Sequence, residues 1–196
     1  MTTGLPPTPD FDAIEAAAPR SADRRTRLLA LIGNLAFCWS NNESLLIYVL
    51  MVLLRTDQES AAIVFATLNT TRARIDLIQR LAKLHVKDRN LYRTLTQLID
   101  RFNECTRVRN EFNHCMYTVN SHGEITHTQS MRIGETRAGL RFGDIKPVDA
   151  ERIEQIGQTI QELTKINRDI WALLPLLQKH LQRPQAPATG EPPPAQ

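Results

Sequence analysis

Residues 88–114, DRNLYRTLTQLIDRFNECTRVRNEFNH, decide how the chain is read. Leu91, Leu95, Leu98, Ile99, Phe102 and Cys105 recur at three- and four-residue steps, the spacing that lines one face of an α-helix. Asp88 stands where an N-cap belongs, its carboxylate within reach of the first unpaired amides. The polar run RVRNEFNH (107–114) then forms the last two turns, and directly behind it the period changes. MYTVNSHGEITHTQSM (116–131) alternates as strands do on either side of SHG, which reads as a β-hairpin.

Outward from that segment the pattern is helical on both sides. Towards the N-terminus, Leu28, Leu31, Ile32, Leu35, Ala36 and Trp39 set a long helix over 24–54, opened by Ser21 and with a bend expected near Ser40. Asp57 or Ser60 starts a second helix to Leu68, and Thr70 or Thr71 a third to Leu84, cored by Ile75, Ile78, Leu81 and Ala82. Towards the C-terminus, RIGETRAGLRFGDIKP (132–147) reads as a glycine-punctuated connection. Val148 or Asp149 then opens a last helix, with Ile153, Ile156, Ile160, Leu163, Ile166, Ile170 and Leu173 on its apolar face and a kink or interruption expected at Pro175. The expected fold is all-α: a bundle of about five helices over 21–182, carrying a small β-hairpin at about 116–132. The segments 1–20 and 183–196, the latter proline-rich, are expected to be disordered.

Composition narrows the function classes. A 196-residue chain that is 42% hydrophobic can build one ordinary core, and +3 is too mild a charge to announce a nucleic-acid binder by itself. Cys38, Cys105 and Cys115 form an odd set without CxxC spacing, so reduced thiols in a cytoplasmic protein are expected. LLIYVLMVLL (45–54) falls short of the roughly 20 residues a bilayer requires and reads as buried helix, with no membrane expected. GxxxxGK[ST], GxGxxG after a strand and GxSxG are all missing, which removes nucleotide hydrolysis, dinucleotide redox and serine hydrolysis. His122 and His127 stand on opposite limbs of the hairpin, with Glu124 between them in sequence, but no cysteine or carboxylate set completes a metal site, so neither metal nor cofactor is expected.

The chemistry concentrates in 107–114. On a regular helix Arg107, Asn110, Glu111 and His114 share one face, while Arg109 and Asn113 lie on an adjoining one, with Arg109 and His114 diverging by roughly 140°. An imidazole titrates near neutrality and can take or give a proton; a guanidinium stays charged and grips phosphate oxygens through a planar fork. Together they suit cleavage of an RNA phosphodiester by its own 2′-OH, without a metal.

At this point RNEFNH resembles the Arg-polar-x-x-x-His form of the Rx(4–6)H signature of HEPN domains, a helical family that includes many metal-independent endoribonucleases. The resemblance extends loosely to the helical layout over 21–182. It implies an endoribonuclease of toxin or defence type and a homodimer with a composite cleft. An antitoxin or regulatory partner would follow from the same likeness. Carried over by position, Arg109 would be the signature arginine, Asn110 its polar neighbour and His114 the histidine. Arg107-x6-His114 fits the signature as well: helical phase favours Arg107, the Arg-Asn pair favours Arg109. The expectation adopted is Arg109, Asn110 and His114 as catalytic, Arg107 and Asn113 as substrate contacts, and Glu43 and Glu111 as supporting carboxylates. Where some members have Arg-x4-His-x-Tyr, Met116 occupies the tyrosine's place here and Tyr117 follows it, so modification of that tyrosine is not expected.

Two further features compete for attention. GNLAFCWSNNE (33–43) interrupts an apolar helix with Asn34, Ser40, Asn41, Asn42 and Glu43, read as a wet face or a kink, with Glu43 able to orient His114 or balance an arginine. Arg72, Arg74, Arg80, Lys83, Lys87, Arg89 and Arg93 make the densest basic region, either an RNA track or a solvated face. The rival to an enzyme is a non-catalytic helical interaction module whose polar helix end simply favours His114 at the negative end of its dipole.

Overall fold

The structure, a computed structural model, describes residues 24–120, 124–131, 133–136 and 139–182. Ser21, the tip of the first hairpin with His122, and both terminal segments lie outside the described residues. Five helices are described: α1 (Arg24–Leu54), α2 (Gln58–Thr67), α3 (Thr71–His85), α4 (Arg89–Asn113) and α5 (Ala150–Gln182). Five short strands separate the last two: β1 (Cys115–Val119), β2 (Ile125–Ser130), β3 (Ile133–Thr136), β4 (Gly139–Phe142) and β5 (Ile145–Pro147). The mostly helical bundle with a small antiparallel sheet behind its long helices is the architecture expected.

Local chemistry fixes the helix starts. The side chain of Asp57 accepts from the Ser60 amide, Thr70 from Ala73, Asp88 from both Asn90 and Leu91, and Asp149 from Arg152. The end of α1 is equally defined: Arg55 takes a left-handed φ of 55°. That turn lets Thr56 N–H reach the Met51 carbonyl and Arg55 N–H reach Val52, which satisfies carbonyls the helix would otherwise leave open.

α1 is the hub. It packs chiefly against α5 and touches every other helix. Seven of the ten residues of LLIYVLMVLL are buried: Leu45, Leu46, Val49, Leu50, Met51, Val52 and Leu53. By length and composition α1 could cross a bilayer, since its apolar window extends beyond 45–54, but 56% of that window is buried inside the bundle. α1 runs unbroken through Ser40, where a bend was expected. The polar residue buried inside it is paired: Asn42 donates through Nδ2 to the carbonyls of Cys38 at 2.8 Å and Leu163 at 2.9 Å, pinning α1 to α5. Arg101 adds a polar tie between α4 and α5, reaching Glu162 at 2.5 Å and Asp169 at 2.7 Å.

α5 likewise continues through Pro175 without interruption. Proline removes one helical hydrogen bond there, and burial of Leu173, Leu174, Leu177 and Leu181 on both sides holds the backbone in place. The segment 132–147 departs most from expectation. In place of a plain connection it forms a second hairpin, β3–β4, and then β5, which joins the first hairpin in a sheet of order β1-β2-β5. Tyr117 pairs with Thr128 and Thr128 with Lys146, making one cross-strand row; Met116, Gln129 and Ile145 make the row on the opposite face.

Candidate functional site

The end of α4 faces the sheet. His114 closes the helix, its N–H reaching the Asn110 carbonyl and its own carbonyl accepting from Met131. The histidine backbone is therefore held by the helix on one side and the strand connection on the other. Between α4, the sheet and the first turn of α5 lies a cavity of about 450 Å³. Arg107, Asn110, Glu111 and His114 line it from the helix, and Thr128, Ser130, Met131, Asp144 and Lys146 from the β excursion. Next to Asp144 in the chain, a side chain on Gly143 would sit 1.8 Å from the Ser130 carbonyl oxygen, an approach that only glycine permits.

Of the expected site residues, this arrangement gathers Arg107, Asn110, Glu111 and His114. Asn113 is exposed and does not line the cavity. Arg109 does not line it either. Its guanidinium lies 3.6 Å from the centroid of the Trp39 ring on α1, and its Nη1 donates to Asn110 Oδ1 at 2.8 Å. Within one chain, Arg109, expected as the signature arginine, is therefore not among the residues that line the cavity with His114. The cause is helical phase: Phe102, Cys105 and Phe112 are buried against the bundle, and Arg109 falls on the same stripe. Burial lowers the Arg109 guanidinium from its ordinary value, with the carboxylate of Glu43 opposing the shift, and Nε finds no hydrogen-bond partner among the described residues.

Trp39 is itself fixed, stacking on Phe102 at 6.0 Å and donating through its indole N–H to Thr106 Oγ1 at 2.9 Å. Glu43 is not at the cavity. It accepts from Thr71 Oγ1 at 2.5 Å and from Arg74 at 2.8 Å, so the arginine it balances is Arg74 rather than one beside His114. Arg74 also lies over the Phe65 ring at 3.9 Å, which takes it out of the basic surface suggested by the sequence. Arg72 pairs with Asp76 on the same helix.

Two cations at the cavity were not legible from the motif. Lys146, on β5, reaches Glu111 at 3.1 Å; Arg152, in the first turn of α5, reaches the same carboxylate oxygen at 3.7 Å. A cation in the first turn sits at the unfavourable end of the helix dipole, so Arg152 is held there by its neighbours. Its guanidinium lies 4.7 Å from the Phe112 ring centroid, and its Nε and Nη1 are buried without a partner among the described residues. Its position just after a helix cap, behind a strand lysine, was the available signal. Arg107 is paired with Glu104 at 2.9 Å, but with 73% of its side chain exposed it remains free to reach a ligand.

The three cysteines are free thiols. Burial pushes Cys105 up to about 12 and raises Cys38 and Cys115, so none is poised as a nucleophile. His127 is exposed, and no cluster of potential metal ligands occurs among the described residues. Compared with protein-family models, with curated proteins and with solved structures, the chain matches none.

Proposed function

We propose that the chain is a metal-independent endoribonuclease of HEPN type, working through the cavity at the end of α4. The observation that carries this reading is that Arg107, Asn110 and His114 line one cavity together with the cations Lys146 and Arg152. His114 takes the proton of a ribose 2′-OH, whose oxygen bonds to the adjacent phosphorus as the bond from phosphorus to the 5′-oxygen breaks. The products are a 2′,3′-cyclic phosphate and a 5′-hydroxyl that receives a proton. Arg107 and Lys146 neutralise the charge that builds on the phosphoryl oxygens. Arg109 acts as a positioning residue: by engaging Asn110 Oδ1 it turns the amide N–H groups of Asn110 towards substrate.

Pairing of two chains, with the second histidine protonating the leaving oxygen, belongs to the same proposal, as do a toxin or defence role, a cytoplasmic location and an antitoxin or regulatory partner. Met116 and Ile145 favour pairing, because they flank Gln129 in one row of the outer sheet face and are 56% and 64% exposed. The same face favours the second reading, a non-catalytic helical interaction module. Incubation of the full chain with single-stranded RNA in excess chelator separates the two. Cleavage that persists in chelator, stops on 2′-deoxy substrate and falls at least about 100-fold in His114→Ala supports the enzyme. Intact RNA beside a well-folded dimer, with no growth defect on expression, supports the module.

A further inference from the structure

None of the basic residues between 80 and 93 lines the cavity at His114. That stretch holds five cations, Arg80, Lys83, Lys87, Arg89 and Arg93, against one acid, Asp88. It therefore carries +4 in a chain whose net charge is +3, so the remainder is slightly acidic. All five cations are exposed, at the corner where α3 ends and α4 begins. Arg80 and Lys83 are one turn apart on α3, opposite its buried stripe of Ile75, Ile78 and Ala82. Lys87 and Arg89 flank the capping Asp88, and Arg93 follows one turn further along α4.

Stabilisation of the fold does not account for them. The side chains of Arg80, Lys83, Lys87 and Arg89 make no hydrogen bond or ion pair among the described residues, and Arg93 reaches only the neutral Asn90, at 3.0 Å. The Asp88 carboxylate is taken up by the amides of Asn90 and Leu91. Lys83 suits the C-terminal end of α3, but Arg89 opens α4, where the dipole disfavours a cation and no acid stands in the first turn to offset it. The corner also lacks the apolar centre that a protein partner needs: among the described residues, Leu84 is its one exposed large hydrophobic side chain.

We infer that this corner is a second RNA contact, which holds the sugar-phosphate backbone of a single strand whose scissile linkage lies at His114. It deepens the ribonuclease reading and rests on it only for what happens at the far end of that strand. Arg89, Arg93, Arg107 and Glu111 are all exposed and fall on one outer row of α4, so a strand following the row passes from the corner to the cavity. Arg93 and Arg107 are 14 positions apart, about 21 Å along the helix, and a single-strand site of about 4–16 nucleotides covers that distance. Asp100 and Glu104 stand between them on the same row. Glu104 is balanced by Arg107 at 2.9 Å, and Asp100 accepts from Gln79 at 3.5 Å. These acids interrupt the row, which makes the corner and the cavity two separate contacts on one strand. Guanidinium and ammonium groups meet phosphate without reading bases, so the corner adds affinity and no sequence preference.

The probe is a fluorescein-labelled 2′-deoxy oligouridylate of about 15 nucleotides, which has no 2′-OH and stays intact, titrated with the full chain across a salt series. Lys83→Gln with Arg89→Gln is the test pair. Arg25→Gln with Lys165→Gln, at exposed cations on α1 and α5, removes the same charge elsewhere. Each lost phosphate contact lowers the slope of log K against log salt by about 0.7 and weakens binding about fivefold at about 0.1 M salt. The test pair should therefore bind about 25-fold more weakly than the parent, with a slope reduced by about 1.4, and the control pair within about threefold of the parent. Equal loss in both pairs, an unchanged slope in the test pair, or no saturable binding overturns the inference. So does polyglutamate that displaces the probe as well as unlabelled oligonucleotide does, which would mark an acidic protein as the partner. Cleavage of RNA is scored separately: a chain that binds through the corner yet leaves RNA intact supports the contact and counts only against the ribonuclease reading.

Discussion

Arg107→Ala and Arg109→Ala should fail in different ways, and the structure gives the size of each effect. Arg109 covers the Trp39 ring at 3.6 Å, a partly desolvated contact of about 2 kcal/mol, and its hydrogen bond to Asn110 adds about 1 kcal/mol. Against this, removing the guanidinium also removes an unpaired Nε, which relieves about 1–2 kcal/mol of burial cost. The net loss for Arg109→Ala is about 1–2 kcal/mol, or about 2–8 °C in Tm for a chain of this size. Arg107 makes a largely exposed i,i+3 pair with Glu104, worth about 0.3–0.5 kcal/mol, so Arg107→Ala should melt within about 2 °C of the parent. Thermal unfolding followed by circular dichroism measures the first difference; RNA cleavage in chelator, corrected for folded fraction, measures the second. Cleavage should fall at least about 100-fold in Arg107→Ala and less than about tenfold in Arg109→Ala. An Arg109→Ala chain that melts with the parent yet cannot cleave, beside a fully active Arg107→Ala, would refute the assignment and return the transition-state role to Arg109.

Glu111→Gln removes the carboxylate that Lys146 and Arg152 share, and should tighten RNA binding severalfold while steepening its salt dependence; filter binding across a salt series reads both, and weaker binding would contradict an anion site. Asp88 is held below its ordinary carboxylate value chiefly by the Leu91 amide, so the folded pKa lies under the unfolded one, and its contribution is present above about pH 4 and lost as pH falls through the folded value. Asp88→Asn should keep the cap yet flatten that acid limb in urea midpoints taken from pH 7 to 2.5. A disulfide-reagent assay at pH 8 should find no fast thiol in the native chain and three in urea, because burial raises Cys38, Cys105 and Cys115; a fast native thiol would show that one of them is open.

Sequence was most informative where a local rule acts alone. Asp57, Thr70, Asp88 and Asp149 each mark a helix start that the structure shows capped, because a cap is settled within three residues. It was least informative over 132–147. β3, β4 and β5 are only four, four and three residues long, and all three residues of β5 are exposed, so no buried alternation marks β5. β3 and β4 pair only with each other, and β5 pairs with β2, which already had a partner in the hairpin. Asn42 illustrates the other limit: a polar residue inside an apolar run reads as a wet face or a kink until Leu163, 121 residues away, is seen to accept its amide proton.

The site shows the same division within a single helix. The stripe Leu95, Leu98, Phe102 and Cys105 was already in the sequence, and one more step of four reaches Arg109 before Phe112. Continuing the helical phase would have sent Arg109 to the bundle and left Arg107 with His114; the six-residue signature, which counts positions without regard to phase, pointed the other way. A long, flexible arginine or a loosened helix end could have reconciled the two, but Arg109 lies over Trp39 and α4 stays helical to Asn113, where the Asn110 carbonyl still accepts from His114. Lys146 and Arg152 lay beyond both arguments, since they reach Glu111 from 35 and 41 positions further along the chain, one from a third strand that the pattern did not reveal and one from α5. Their common contact nevertheless explains the β excursion physically. A helix end alone offers a histidine and an arginine to solvent, whereas the sheet and the first turn of α5 bring Lys146 and Arg152 against that end and wall it as a cavity.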